Sequence, residues 1–208
     1  MEKHVLIINN EKYENELGWS DKVVEALNNI EEVTCTVSHY SKIDSNYIKD
    51  LQPQYIIMTG RIGQHWEENE ISDRYIPKLN IIKDLPVPVL GICAGLQLTA
   101  IMYGGKIGKM VESSDDILEE GYIKHFIKKD HQLLEGVNTS FYCRQLHRDE
   151  VKTLPEEFDL LASSEMCAVQ MIAHKERPLF GVQFHPEWYN SDYPAGKMIL
   201  KNFLNIKF

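Results

Sequence analysis

The chain has 208 residues, 43% of them apolar and 25% charged, with a formal net charge of −9. This length and balance suit one soluble α/β domain with a full hydrophobic core. The acidic surplus argues against nucleic acid or an acidic membrane surface as the main partner.

In chain order, Val5–Ile8 is a continuous apolar run ended by Asn9 and Asn10, the pattern of a central parallel strand opening an α/β fold. A helix is predicted over Ser20–Ile30, with Ser20 as N-cap and Val23, Val24, Leu27 and Ile30 on one face. Val33–Val37 is β-branched and alternating, a second strand, with Cys35 as a small core residue. His39 and Tyr40 fall in a loop, without a role. Tyr55–Gly60 is a third strand, followed by Arg61-Ile62-Gly63.

Gln64–Asp84 reads as a loop and then an amphipathic helix carrying Ile71, Tyr75, Ile76, Leu79 and Ile82. Its acidic cluster of Glu67, Glu68, Glu70 and Asp73 has only His65 beside it and reads as a solvated surface, so no metal is expected there. Val87–Ile92 is a short buried strand and Leu96–Met102 an apolar helix closed by Gly104-Gly105. Lys128–Gly136 suggests a surface helical turn, and His125 and His131 are read as surface histidines. Phe158–Glu165 and Val169–His174 form an antiparallel pair of strands leading to a last strand, Leu179–His185. Ala195–Leu204 is a closing amphipathic helix.

The four cysteines, Cys35, Cys93, Cys143 and Cys167, lie far apart with no C-x-x-C pair. Neither a zinc site nor a disulfide framework is expected, and a reducing cytoplasm fits that usage. The N-terminal apolar run is too short for a signal peptide, and no stretch approaches membrane-spanning length.

Chemistry concentrates in two places. Gly91-Ile92-Cys93-Ala94-Gly95 puts a cysteine at a strand-to-helix corner, flanked by glycines that relieve crowding. That is the pattern of a nucleophile elbow, and the helix N-terminus favours thiolate. A buried core cysteine in a glycine-flanked turn is the alternative for this stretch alone. Late in the chain, Phe180-Gly181-Val182-Gln183-Phe184-His185-Pro186-Glu187 carries a base and a carboxylate two residues apart. Along an extended chain His185 and Glu187 point to the same side, which supplies a base and its orienter.

GICAG together with FGVQFHPE resembles the class I, triad-type glutamine amidotransferases, over most of the chain. The resemblance implies a single domain over residues 1–208: a flavodoxin-like, doubly wound, mostly parallel sheet with helices on both faces and a small peripheral antiparallel ribbon. Residues 117–127, after the Gly104–Gly108 helix end, are expected in that ribbon. It also implies catalysis by Cys93, His185 and Glu187, with an oxyanion hole of backbone N–H groups from Ala94 and from Gly60 or Arg61. Here Thr59-Gly60-Arg61 stands where the family more often shows Gly-Gly-Pro, and Leu96 where many members carry His or Met. By the same resemblance Gly95 and Gln97 line the amide end of the pocket. Leu146-His147-Arg148-Asp149-Glu150-Val151 matches, except at its first position, the Ser-His-x-Asp-x-Val segment of the branch that includes GMP synthase. Backbone near Gln145, Leu146 and His147 is then expected to grip L-glutamine. LLASSE and HKERPLFGVQFHPE are also close to that branch.

No cofactor is implied. The chain has no room for a synthetase and no phosphate-binding Gly-rich loop with Lys. The first expectation is therefore a glutaminase subunit passing ammonia to a separate synthetase, with GMP synthesis the leading pathway. A stand-alone hydrolase of γ-glutamyl compounds and a catalytically silent binding protein of the same fold stay open beside it.

Overall fold

In the computed structural model, which describes residues 3–62, 65–111 and 118–208, β1 (Lys3–Asn9) leads through α1 (Ser20–Asn28) to β2 (Val33–His39). Then come α2 (Ser45–Leu51), β3 (Tyr55–Met58) and a run of helical turns holding α3 (Ile76–Leu79). β4 (Val89–Ile92) and α4 (Ala94–Met102) follow, then β5 (Lys106–Lys109), β6 (Glu119–Ile127), β7 (Ser140–His147) and β8 (Asp149–Thr153). The chain closes with β9 (Phe158–Ser163), β10 (Met171–His174), β11 (Leu179–Val182) and α5 (Ala195–Leu204).

Nine strands form one sheet in the order β2-β1-β3-β4-β11-β10-β9-β6-β7, and β5 with β8 makes a separate two-stranded ribbon. Every pairing from β2 across to β11 is parallel. This half has the 2-1-3-4-5 order of flavodoxin-like sheets, in which ligands sit outside the carboxyl ends of the strands. From β11 outward the pairings are antiparallel.

β1 is buried on both faces, so its alternation sorts residues into two cores. Val5 and Ile7 pack with Val23 and Leu27 of α1 and Ile199 and Phe203 of α5. Leu6 and Ile8 pack on the other side with Leu96 and Leu98 of α4 and Leu79 of α3. The expected sheet, helices and ribbon are all present. Among the described residues no helix is long and apolar enough to cross a membrane.

Several local expectations are corrected. Ser20 is the first helical residue, not the cap: Trp19 holds the N-cap position without a side-chain bond, after a turn through Gly18 at φ +54°. The helix predicted within 64–84 is broken into a wide turn at Ile71–Tyr75, the short α3, and a tight turn at Asn80–Asp84. Pro77 lacks the N–H that a continuous α-helix would need there. Gly63, Gln64 and Ile117 lie outside the described residues. Residues 119–127 join the main sheet rather than the ribbon. His125, read as a surface residue, is fully buried, its ring 5.1 Å from that of Phe141 and 4.9 Å from that of Phe184. Glu120 and Lys124 lie on the exposed face of β6, whereas His125 points to the opposite face, against Phe141 and Phe184. α2, unrecognised in the sequence, buries no residue fully and so leaves little apolar signal; Asp44 caps it by accepting the Tyr47 N–H.

Candidate active site

Three neighbouring strands, β3, β4 and β11, run parallel and end at the same edge of the sheet, delivering Gly60, Cys93 and His185 to one place. Cys93 occupies the corner between β4 and α4 at φ +50° and ψ −101°. A non-glycine residue held there carries backbone strain, which clusters at functional sites. Its N–H donates to the Val182 carbonyl at 2.7 Å, and its carbonyl accepts from the Gln97 N–H at 3.1 Å, starting α4. The flanking glycines serve close approach rather than positive φ. A Cβ on Gly91 would lie 2.5 Å from the Gly95 carbonyl, and one on Gly95 2.5 Å from the Met58 carbonyl oxygen.

β11 ends at Val182, so the His185–Glu187 pairing does not come from strand alternation as expected. His185 instead caps a tight helical turn at Pro186–Trp188, and that turn brings the Glu187 carboxylate to Nδ1 at 2.7 Å. The turn is held from two sides. The His185 N–H donates to the Arg144 carbonyl at 2.8 Å, and Gly196 of α5 packs so tightly on Pro186 that a Cβ there would stand 2.3 Å from its carbonyl oxygen. Trp19 meets the imidazole edge-on, with ring centroids 5.9 Å apart. His185 and Glu187 are both buried. Burial, the largest single influence on His185, disfavours the charged ring, but the Glu187 charge and the Cys93 thiol outweigh it and raise the pKa to about 10. His185 Nε2 is buried without a well-formed hydrogen bond, and the Cys93 thiol is the remaining polar group that acts on the ring.

Gly60 stands against both side chains. A Cβ there would lie 2.8 Å from His185 Cε1 and 3.4 Å from Cys93 Cβ. Its loop is anchored from the segment after β1: Asn10 Nδ2 donates to the Thr59 carbonyl at 2.7 Å, and the Ile62 N–H donates to Glu11 Oε1 at 2.7 Å. The Arg61 side chain turns to pair with Glu70 at 2.9 Å, its guanidinium 4.2 Å from the Trp66 ring centroid.

A pocket lies over Cys93, lined by Ala94, Gln97, Leu146 and His147 together with Arg61 and Trp66. Gly95 and Gln145 are not among its lining residues. Gly95 is packed on β3, and the Gln145 side chain is buried elsewhere, donating to Gln170 Oε1 at 2.6 Å and contacting His125 Nε2 at 2.8 Å. Glu119, His147 and Cys167 each bring one potential metal-ligand atom within 4.8 Å of the others. Hydrogen bonds already engage that group. Glu119 receives Ser164 Oγ at 2.6 Å and Gln170 Nε2 at 2.7 Å, and it pairs with His147 Nε2 at 2.7 Å. His147 Nδ1 meets the Asp149 carbonyl at 3.0 Å. The donor set therefore fits a structural hydrogen-bond cluster behind the pocket.

Several residues of this site have no role that the sequence alone assigns: Trp19, Trp66, Glu119 and Gln183. Only Gln183 carries a signal, its place inside the FGVQFHPE string.

Comparison with known proteins decides the family. The model described as glutamine amidotransferase class-I matches residues 13–206. The chain belongs to the class-I glutamine amidotransferases. This amidotransferase is 44% identical over 124 residues to a subunit of the glutamine-hydrolyzing GMP synthase of Methanococcus maripaludis, covering 60% of this chain and 62% of that protein. It is 39% identical over 128 residues to the protein of the same name from Methanocaldococcus jannaschii, covering 62% and 64%. Each match thus spans under two thirds of the relative's length. Among solved structures, a protein described as a GMP synthase subunit, from Thermoplasma acidophilum, superposes with TM-score 0.80 at 24% identity, covering 99% of this chain and 94% of that one. A glutamine amidotransferase from Thermotoga maritima gives TM-score 0.71 at 17% identity, covering 99% and 97%. Both likenesses concern the fold.

Proposed function

We propose that this amidotransferase hydrolyses L-glutamine to glutamate and ammonia, as one domain over residues 1–208 that delivers the ammonia to a separate synthetase subunit. The observation that carries this is the convergence of a strained, helix-capping Cys93 with a buried His185–Glu187 pair. Cys93 loses its proton to His185 and attacks the carboxamide carbon. The Ala94 N–H and a backbone donor of the Gly60–Arg61 loop hold the oxygen as charge develops. His185 then protonates the departing ammonia, leaving a γ-glutamyl thioester that water hydrolyses with His185 as base. Glu187 keeps the imidazole oriented and steadies its charged form. Backbone from Leu146 to His147 grips the amino-acid end of the substrate. Gln145 contributes backbone at most, because its side chain faces away, and Gly95 supports the elbow rather than lining the pocket.

The names of the relatives, each a subunit of a glutamine-hydrolyzing GMP synthase, support ammonia transfer into GMP synthesis. The test measures glutamate release by the purified protein, alone and with a purified GMP synthase synthetase subunit. Turnover that requires Cys93, that rises with the partner, and that yields GMP bears the reading out. Turnover indifferent to the partner, alongside faster cleavage of another γ-glutamyl amide, replaces it with the stand-alone hydrolase. Failure of a glutamine-analogue alkylator to label Cys93 refutes both.

A further inference from the structure

We propose that Gln183 is a catalytic residue that donates its amide N–H to the Cys93 sulfur, and that Trp66 and Gln97 are positioning residues that aim it there. Four groups form an unbroken line from the pocket wall to the thiol. Trp66 Nε1 donates to Gln97 Oε1 at 2.7 Å. Gln97 Nε2 donates to Gln183 Oε1 at 3.2 Å and to the Asp149 carbonyl at 2.9 Å. Gln183 Nε2 donates to Cys93 Sγ at 3.4 Å. Both glutamines are buried, 4% and 0% exposed, so water does not compete for these contacts.

The direction of the line follows from its first member. An indole N–H can only donate, so the oxygen of Gln97 must face Trp66. Its NH2 then faces Asp149 and Gln183, which the Asp149 carbonyl, an acceptor only, independently requires. The oxygen of Gln183 must therefore face Gln97, and its NH2 must face the sulfur. Neither amide can be turned over without placing two acceptors or two donors together. Each link polarises the next toward Cys93, and a donor at the sulfur favours thiolate over thiol.

The arrangement also couples the pocket to the nucleophile. Trp66 lines the pocket beside Arg61, so a substrate seated there touches the group that orients the chain. Among the described residues, the charged and titratable groups facing this line include His185 and Glu187 after β11, His147 and Asp149 from β7 and β8 with Arg148 between them, Arg61 after β3, His65 on Asp149, and Tyr75 against the Trp66 ring. The substitutions below leave all of these in place.

The proposal rests on Cys93 as the nucleophile, and its test separates the two claims. Cys93 alkylation by iodoacetamide is followed across pH by mass spectrometry of the Cys93 peptide, in the wild type, Gln183→Leu and Trp66→Phe. Loss of the donor raises the pH of half-maximal alkylation by about one unit in Gln183→Leu, and by less in Trp66→Phe. For glutamine hydrolysis, kcat falls about tenfold in Gln183→Leu while KM changes by less than about twofold. A midpoint unmoved in both variants overturns the proposal. If Gln183→Leu does not fold, Trp66→Phe, which retains a ring beside Arg61, decides alone. Because alkylation needs no glutamine, a shifted midpoint in a protein without glutaminase activity keeps the chain and rejects the substrate.

Discussion

Gly60 passes so close to His185 that a methyl group on it would stand 2.8 Å from the imidazole Cε1. The neighbouring turn cannot retreat, because Gly196 and Arg144 hold it from behind. Gly60→Ala is therefore expected to push the imidazole off the thiol while leaving the fold intact. Displacement of a catalytic group by about 1 Å costs on the order of a hundredfold in rate. Steady-state glutaminase kinetics, with circular dichroism as control for folding, check this; a variant with wild-type kcat would show that the ring has room to move.

Glu187 gives His185 a distinctive pH signature. The folded ring holds its proton to about 10, against an ordinary 6.5. A folded pKa raised above the unfolded one contributes stability that is complete below about 6.5 and lost as pH climbs toward 10. In Glu187→Gln the share of that contribution owed to the carboxylate disappears, leaving only the share from Cys93. Urea denaturation from pH 6 upward should show wild type losing its advantage over the variant across this window; parallel curves would contradict it.

The Glu119–His147 pair behind the pocket is the site's buried support. Burial, the largest influence on Glu119, raises its pKa, but hydrogen bonds from His147 and Ser164 more than compensate, holding the carboxyl below its ordinary 4.5. Glu119→Ala strands His147 in the interior and should cost about 3–5 kcal/mol at neutral pH. A depressed carboxyl stabilises above its ordinary pKa and loses that effect as pH falls below it, so the gap between variant and wild type should narrow below pH 4.5. Chemical denaturation at pH 7 and at pH 4 measures both parts.

His125 works in the opposite sense. Burial among aromatic rings lowers its pKa from 6.5 to about 4. The unfolded chain takes up this proton first, so stability drains as pH falls from 6.5 toward 4 and then levels. His125→Phe, on a ring stack already formed by Phe141 and Phe184, should flatten that slope at some cost from orphaning Gln145. Thermal melts at pH 7 and pH 5 test it: an equal drop in Tm for wild type and variant would locate the acid sensitivity elsewhere.

The elbow and the alternating strands were legible because their signals are local. Val5–Ile8 and the GICAG corner depend on residues a few positions apart, where periodicity and glycine placement speak directly. Legibility failed where a neighbour in space outweighed a neighbour in sequence. Lone His125 looked like a surface residue because nothing in its own segment shows that β6 is flanked by β9 and β7. Ser20 looked like a cap, yet Trp19 takes that position, where its ring meets His185. The spacing of His185 and Glu187 suggests strand alternation, but a tight turn brings the two together.

By itself, then, the sequence determined the βα corner, the residue types available for acyl chemistry and the helix–strand pattern of an α/β domain, all short-range properties. Tertiary structure alone decided that Gly60, Cys93 and His185 share one edge, because β3, β4 and β11 lie side by side and parallel. It alone aligned Trp66, Gln97 and Gln183 on the sulfur. Hydrogen-bond direction belongs to pairs of groups that only packing brings within reach.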